Sequence, residues 1–256
     1  MKISALLTGV ALAAGAWLPA ASSAEAPASP AAWDPSFLQH CAFVSVDVQE
    51  PGPRNHVTEE TVPKLWKQMG FTAADVNAAV DYTYDVAFPN SRRVAEACRS
   101  FGLPMIFIHW GCLFKDGMDL DPDVRREFLN QFGPNYDKWG CCQGDPLARP
   151  AAFLGVRAGE YVIPKSAQDA FVSSNLKNVL RNLGVENIVF IGGHTGACLG
   201  KTAASAKRLG FRMLCVEDAT FDARQSSRRP WIDQTGYDYV VTTDEFLALL
   251  QAAARR

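Results

Sequence analysis

The segment IVFIGGHTGACLGKTAASAKRLGF, residues 188–211, sets a thiol, Cys198, between an apolar run and a helical pattern made of small residues. A helix N-terminus carries a positive partial charge and unpaired N–H groups, so it favours a thiolate. Two more reactive side chains stand at similar places. Asp47 ends the apolar run AFVSVDV, and Lys165 ends EYVIPK. An ammonium near a thiol lowers its pKa, and a carboxylate in reach takes its proton; together they make a nucleophile for an acyl carbon. Gly192, Gly193 and Gly196 allow a tight turn whose N–H groups can converge on a developing oxyanion. The small residues Gly200, Ala203 and Ala206 predict a helix lying close to a sheet. Each of the three reactive groups has an ordinary structural explanation by itself: a buried thiol, a capping carboxylate, a solvated lysine. Their joint occurrence at the ends of apolar runs favours chemistry.

The elements that must hold them are legible as apolar runs rich in β-branched residues. These are 42–48, 104–110, 160–165, 187–193, 211–217 and 238–243. Most are nearly continuous rather than alternating, which predicts strands buried on both faces. Helical patterns lie between them and stop at Gly102, Gly184 and Gly210. Strand and helix in this rhythm predict an α/β fold: a three-layer, doubly wound sheet of about six mostly parallel strands, with helices on both faces. In such a sheet ligands bind at the carboxyl ends of the strands, where Asp47, Lys165 and Cys198 fall. Two insertions break the rhythm. Residues 51–90 read as a helical excursion, with Thr72 as N-cap and Asp75 three residues on. Residues 111–159 are rich in Gly, Pro and Asp, and long loops of this kind are usually functional.

The chain has 256 residues, 48% of them hydrophobic, enough for one large domain. Lys plus Arg number 25 and Asp plus Glu 27, a balance that points to neither nucleic acid nor an anionic membrane as partner. The start, MKISALLTGVALAAGAWLPAASSAEA, has a basic residue, a short apolar stretch and small residues around Ala24. It reads as a signal peptide over 1–24, and the product as exported, periplasmic or secreted. A flexible lead-in is expected over 25–36 and a single domain over 37–256. Export permits disulfides, but seven cysteines cannot all pair within one chain. A bridge from Cys112 to Cys141 or Cys142 is open, and the connectivity among these, Cys41, Cys98 and Cys215 is not fixed by spacing.

The Asp-x-Gln of Asp47 and Gln49, the lysine of YVIPKS with AF downstream, and GGHTGAC followed by TAASAKRLGF together resemble the isochorismatase-like cysteine hydrolases over roughly residues 40–250. The resemblance implies an Asp–Lys–Cys triad of Asp47, Lys165 and Cys198 that hydrolyses an amide or ureido C–N bond of a small molecule through a thioester. It also implies a cis peptide at Gly193–His194, an oxyanion hole from the N–H groups of His194 and Cys198, and a homo-oligomer. The chain departs from the family in two places. Asp169 stands where Ser-Ala-Phe is usual. The metal-binding Asp-x-His of the nicotinamidase branch is missing, EPGPRNH having only His56. No cofactor and no metal are therefore expected.

Gln49, His109, Trp110, Trp139 and Phe171 are candidate substrate contacts, with packing as the alternative for the aromatic residues. His40, His56, His109 and His194 show no metal-ligand spacing. DLDPDVRREF lacks the glycine and final glutamate of a calcium loop. A thiol redox protein and a non-catalytic binding protein are the competing readings; the first lacks a C-x-x-C motif. With no clustered ligands in the sequence, the hydrolysis implied by the resemblance should survive exhaustive chelation. Loss of activity with EDTA, restored by one added divalent metal, would bring back the nicotinamidase-like reading.

Overall fold

Six of the apolar runs form strands: β1 (Cys41–Val46), β2 (Met105–Trp110), β3 (Tyr161–Lys165), β4 (Asn187–Gly193), β5 (Arg212–Phe221) and β6 (Tyr239–Val241). The computed structural model describes residues 33–62, 64–141 and 144–255. The strands lie in the order β3-β2-β1-β4-β5-β6, every pair parallel. The order reverses between β1 and β4, and in open α/β sheets such a reversal marks the ligand-binding crevice at the carboxyl ends of the strands.

Side-chain alternation divides the core in two. Ala42, Val44, Val46, Ile106, Ile108, Ile188 and Phe190 face one layer of helices. That layer holds α4 (Pro122–Phe132), α5 (Ala170–Ser173), α6 (Leu176–Asn182) and α7 (Cys198–Arg208). Phe43, Met105, Phe107, Val189, Ile191 and Leu214 face the other, against α3 (Phe88–Phe101) and α9 (Thr243–Ala254). The three-layer α/β sandwich expected from the sequence is present. The helix α9 was not among the patterns singled out above, yet it has a legible start: Thr242 and Glu245 form a reciprocal capping box. The same device, Thr72 with Asp75, opens α2 (Ala73–Tyr82) as expected.

Burial on both faces holds for β1 and β4, whose residues are buried throughout. It fails for β3, where Tyr161 and Val162 are 40% and 43% exposed. The reason is position: β3 is the sheet's edge, and its Pro164 lacks the N–H that a further strand would need.

The first insertion, with α1 (Lys64–Gln68) and α2, builds a satellite core from Val57, Val62, Trp66, Phe71, Val76 and Val80. It docks on the loop after β5 through Ala223. The Arg224 guanidinium lies 4.1 Å from the Phe71 ring centroid and donates to the Met69 carbonyl at 3.1 Å. The helix α8 (Gln225–Thr235) follows that loop. The second insertion is more ordered than its composition implies. Its acidic residues are turn and cap acceptors: Asp119 takes the N–H groups of Leu113 and Phe114, and Asp121 caps α4 ahead of Pro122. Residues 1–24, read as a signal peptide, lie outside the described residues. Of the lead-in, residues 33–36 are described, and Trp33 stands edge-on to Tyr239 at 5.0 Å.

Two glycines make the crevice possible. At Gly192 φ is +106°, and a Cβ there would lie 2.0 Å from the Val46 carbonyl oxygen. A Cβ at Gly200 would lie 2.1 Å from the Thr195 carbonyl oxygen. The close approach at Gly200 is thus to the turn ahead of α7, rather than to the sheet as the small-residue pattern predicted. Gly192→Ala should destabilise the fold by about 3 kcal/mol or more, as strain and a backbone clash combine. Gly102→Ala, where φ is +88° with nothing within 4 Å, should cost about 1 kcal/mol. Urea denaturation measures both, and equal effects would mean that contact with Val46 is unimportant.

Candidate active site

Asp47 follows β1 directly. Strand alternation would turn it away from Val46, towards the α3 and α9 layer. Its φ of +54° breaks the alternation. Asp tolerates this left-handed region better than most residues, at a cost of about 1–3 kcal/mol. The turn re-aims the carboxylate towards Lys165, whose Nζ lies 2.9 Å from Asp47 Oδ2. The side chains are 3% and 0% exposed respectively. Lys165 ends β3, and β2 separates β3 from β1. Neighbouring strands are about 4.8 Å apart, so the lysine stem must cross about 10 Å. It crosses over the last residue of β2: Nζ stands 4.6 Å from the Trp110 ring centroid, a cation–π contact.

Cys198 occupies the first position of α7 and is fully buried. Asp47 and Lys165 both act electrostatically on its thiol. Burial pushes its pKa up to about 12; Lys165 pulls the other way, and Asp47 adds to the rise. Helix N-terminus and ammonium alone predicted a thiolate. Desolvation reverses that, and the resting group is a thiol. Burial also works against the charge of Lys165, but Asp47 and Cys198 more than offset it, so its pKa stands above the ordinary lysine value. The resting site therefore holds a lysine cation and a protonated thiol.

The turn ahead of Cys198 has a cis peptide at Gly193–His194, as the resemblance implied. Its donors are mostly engaged. Thr195 N–H donates to the Phe221 carbonyl, Gly196 N–H to Asp222 Oδ2, and those of Ala197 and Leu199 to the His194 carbonyl. The Cys198 N–H, on the first residue of α7, has no acceptor of this kind among the described residues. His194 is buried, its ring edge-on to Phe221 at 5.5 Å.

The structure sorts the other candidates. Trp110 belongs to the site through Lys165. His109, beside it, is held neutral by burial, and the charges of Asp47 and Lys165 reach it; its Nδ1 has no partner among the described residues. Gln49 binds backbone: it donates to the Trp110 and Leu147 carbonyls at 3.1 and 2.7 Å and accepts from Trp110 N–H at 2.8 Å. It thereby ties the end of β2 to the second insertion. Trp139 is buried, stacked on Phe128 and donating to the Gly133 carbonyl. Phe171 lies against Phe211, 6.0 Å between centroids. Asp169, the departure from Ser, caps α5 and binds Ser205 of α7. Cys112 donates to the Cys141 carbonyl, and Cys142 lies outside the described residues. His56 pairs with Asp81 in an exposed cluster with Arg54. Among the described residues no group of three His, Cys, Asp or Glu side chains could hold a metal.

Two residues escaped sequence reasoning. Asp222 lies far from the motifs in the chain and has no signature beyond its charge. Lys201, one turn after Cys198, is a half-buried cation whose pKa burial lowers, within the field of Cys198, Asp169 and Asp121. Its spacing of three from Cys198 was the available signal.

The model of the isochorismatase domain matches residues 68–244. The chain belongs to this family. A ureidoacrylate amidohydrolase RutB from Rhizobium rhizogenes is 26% identical over 184 residues, 64% of this chain and 71% of that protein. Among solved structures, a cysteine hydrolase from Pseudomonas syringae pv. phaseolicola superposes with a TM-score of 0.63 at 19% identity, covering 91% of this chain and all of the other. N-carbamoylsarcosine amidase from Thermoplasma acidophilum gives 0.52 at 23%, covering 80% and 96%.

The buried thiols of this isochorismatase-family chain carry a consequence for stability. Burial raises the pKa of Cys41 and Cys198 to about 12, and raises Cys98 and Cys215 as well, from an ordinary value of 9.0. Above pH 9 the unfolded thiols lose protons that the folded ones keep. The unfolded state is then favoured, and stability should fall as pH rises from there. The slope limit is ~1.4 kcal/mol per pH unit for each thiol. Urea midpoints at about pH 8 and pH 10 measure this; no decrease would mean the thiols are not held neutral.

Proposed function

We propose that this chain hydrolyses an amide or ureido C–N bond of a small molecule through a thioester on Cys198. That it is a hydrolase of C–N bonds follows from its family and its amidohydrolase relatives. The finer reading rests on one observation: a fully buried thiol within the field of a buried Asp47–Lys165 ion pair. Such an arrangement suits proton transfer timed to attack. As Sγ bonds to the acyl carbon, the thiol proton passes to Asp47, and the carbonyl oxygen takes negative charge beside the Cys198 N–H. Lys165 holds the charge on Asp47 before the transfer and offsets the sulfur's charge during it. The proton then moves from Asp47 to the departing nitrogen, the C–N bond breaks, and ammonia or an amine leaves. Water attacks the thioester with Asp47 as base, and the thiol returns.

The family relatives support the amide class, since they are named for ureidoacrylate and N-carbamoylsarcosine. Export of the enzyme is part of the same proposal and rests on the sequence of residues 1–24.

Cys198→Ala should abolish ammonia release from every amide or ureide that the wild type cleaves, with the fold intact. Wild-type protein quenched in acid during turnover should carry substrate acyl mass on the peptide containing Cys198. Near-wild-type activity in the variant, or turnover without acylation at Cys198, would remove the nucleophile assignment.

A further inference from the structure

The buried carboxylate of Asp222 has no place in the chemistry so far. It sits just past β5 and is 3% exposed. Among the described residues no cation lies within ion-pair distance of it. Its partners are hydrogen-bond donors. Oδ2 accepts from Thr195 Oγ1 at 2.7 Å and from Gly196 N–H at 2.8 Å, and Oδ1 from Arg224 N–H at 3.4 Å. Two of these three donors belong to the turn that delivers Cys198.

A buried carboxylate without a cation is expensive, so its hydrogen bonds must compensate for lost water. Bonds to a charged acceptor are about twice as strong as neutral ones. A negative charge close to a developing oxyanion opposes it electrostatically. The benefit of Asp222 must therefore be positional. By taking the Gly196 N–H and the Thr195 hydroxyl on one oxygen, it fixes the turn from two sides. The Phe221 carbonyl holds Thr195 N–H from the same strand end. The Cys198 N–H, two residues beyond this anchored stretch, is then aimed by the turn itself.

We propose that Asp222 is a positioning residue for the oxyanion turn, acting through Thr195 and Gly196 on the N–H of Cys198 rather than on its thiol. The Arg224 contacts to Met69 and Phe71 extend this anchor into the first insertion. The inference rests on the acyl-transfer reading above, and its test separates the two.

Three readouts are compared in full-length wild type, Asp222→Ala, Asp222→Asn and Thr195→Val. The first is kcat and KM for an amide that the wild type cleaves. The second is the rate of Cys198 alkylation by iodoacetamide, a displacement that develops no oxyanion. The third is protection of Cys198 from alkylation by a simple aliphatic aldehyde. In that adduct sulfur bonds to the carbonyl carbon and the thiol proton ends on the oxygen, which occupies the oxyanion position. Asp222→Ala should lower kcat by ~10²–10³-fold, the range for a lost oxyanion donor, with KM little changed. Aldehyde protection should weaken with it, while the alkylation rate stays within about twofold of wild type. Asp222→Asn, with its amide oxygen in the Oδ2 position, can accept from both Gly196 N–H and Thr195 Oγ1, so it should restore most of kcat. Thr195→Val, which keeps the carboxylate, should shift kcat and protection in the same direction but less, and stands in if the Asp222 variants do not fold. Alkylation slowed as much as hydrolysis would place Asp222 on the thiol and overturn the proposal. Unchanged kcat and protection would overturn it too. A wild type that cleaves no amide would sink the acyl-transfer reading, and the aldehyde readout would still decide for or against Asp222.

Discussion

A carboxylate and an ammonium meet at 2.9 Å where water does not reach either. Moving each ion from water into protein costs several kcal/mol, so neither Asp47 nor Lys165 is tolerable there alone. Their side chains come from strands that are not neighbours. The pair exists because a left-handed residue turns one towards the crevice and a long stem carries the other across Trp110. The thiol above them inherits this environment. Desolvation holds its proton, and the charges of the ion pair act on it in opposite directions.

The fold serves that pair in a direct way. Parallel strands bring their carboxyl ends to one edge, and Asp47 and Cys198 follow β1 and β4, the two strands between which the order reverses. The strand ends approach so closely that Gly192 has no room for a side chain against the Val46 carbonyl. The insertions then close the periphery. Gln49 binds the second insertion to the end of β2, and Arg224 binds the first to the loop after β5. Each clamp uses a side chain close to a strand end, so the two insertions are tied to the sheet at its carboxyl edge.

Sheet order and burial show where sequence reasoning stops. The apolar runs announced six strands, and their register with intervening helices announced a parallel sheet. Near-continuous apolar runs predicted strands that are mostly buried on both faces, but an edge position such as that of β3 is a property of the neighbours a strand has, not of its own composition. The exposed Tyr161 and Val162 carry no mark of this in the chain. Pro164 was the available sign. In the same way Trp139 and Gln49 had the right chemistry for a pocket, and packing and backbone hydrogen bonds claimed them instead.

By itself the sequence determined the chemical types and the strand ends that carry them: a thiol at the start of a helix, with an acid and a lysine at the ends of two other strands. Those are local facts, set by periodicity, glycine stops and caps, and they needed no partner to be read. The protonation of the thiol, the facing of Asp47 and the anchoring of the turn ahead of Cys198 by Asp222 were decided by the tertiary structure. Protonation depends on the water excluded by the whole core. Strand alternation alone would have aimed Asp47 at the wrong layer, and its positive φ corrects that. Asp222 lies 24 residues beyond the nucleophile, and its carboxylate meets Thr195 and Gly196 because β4 and β5 lie side by side.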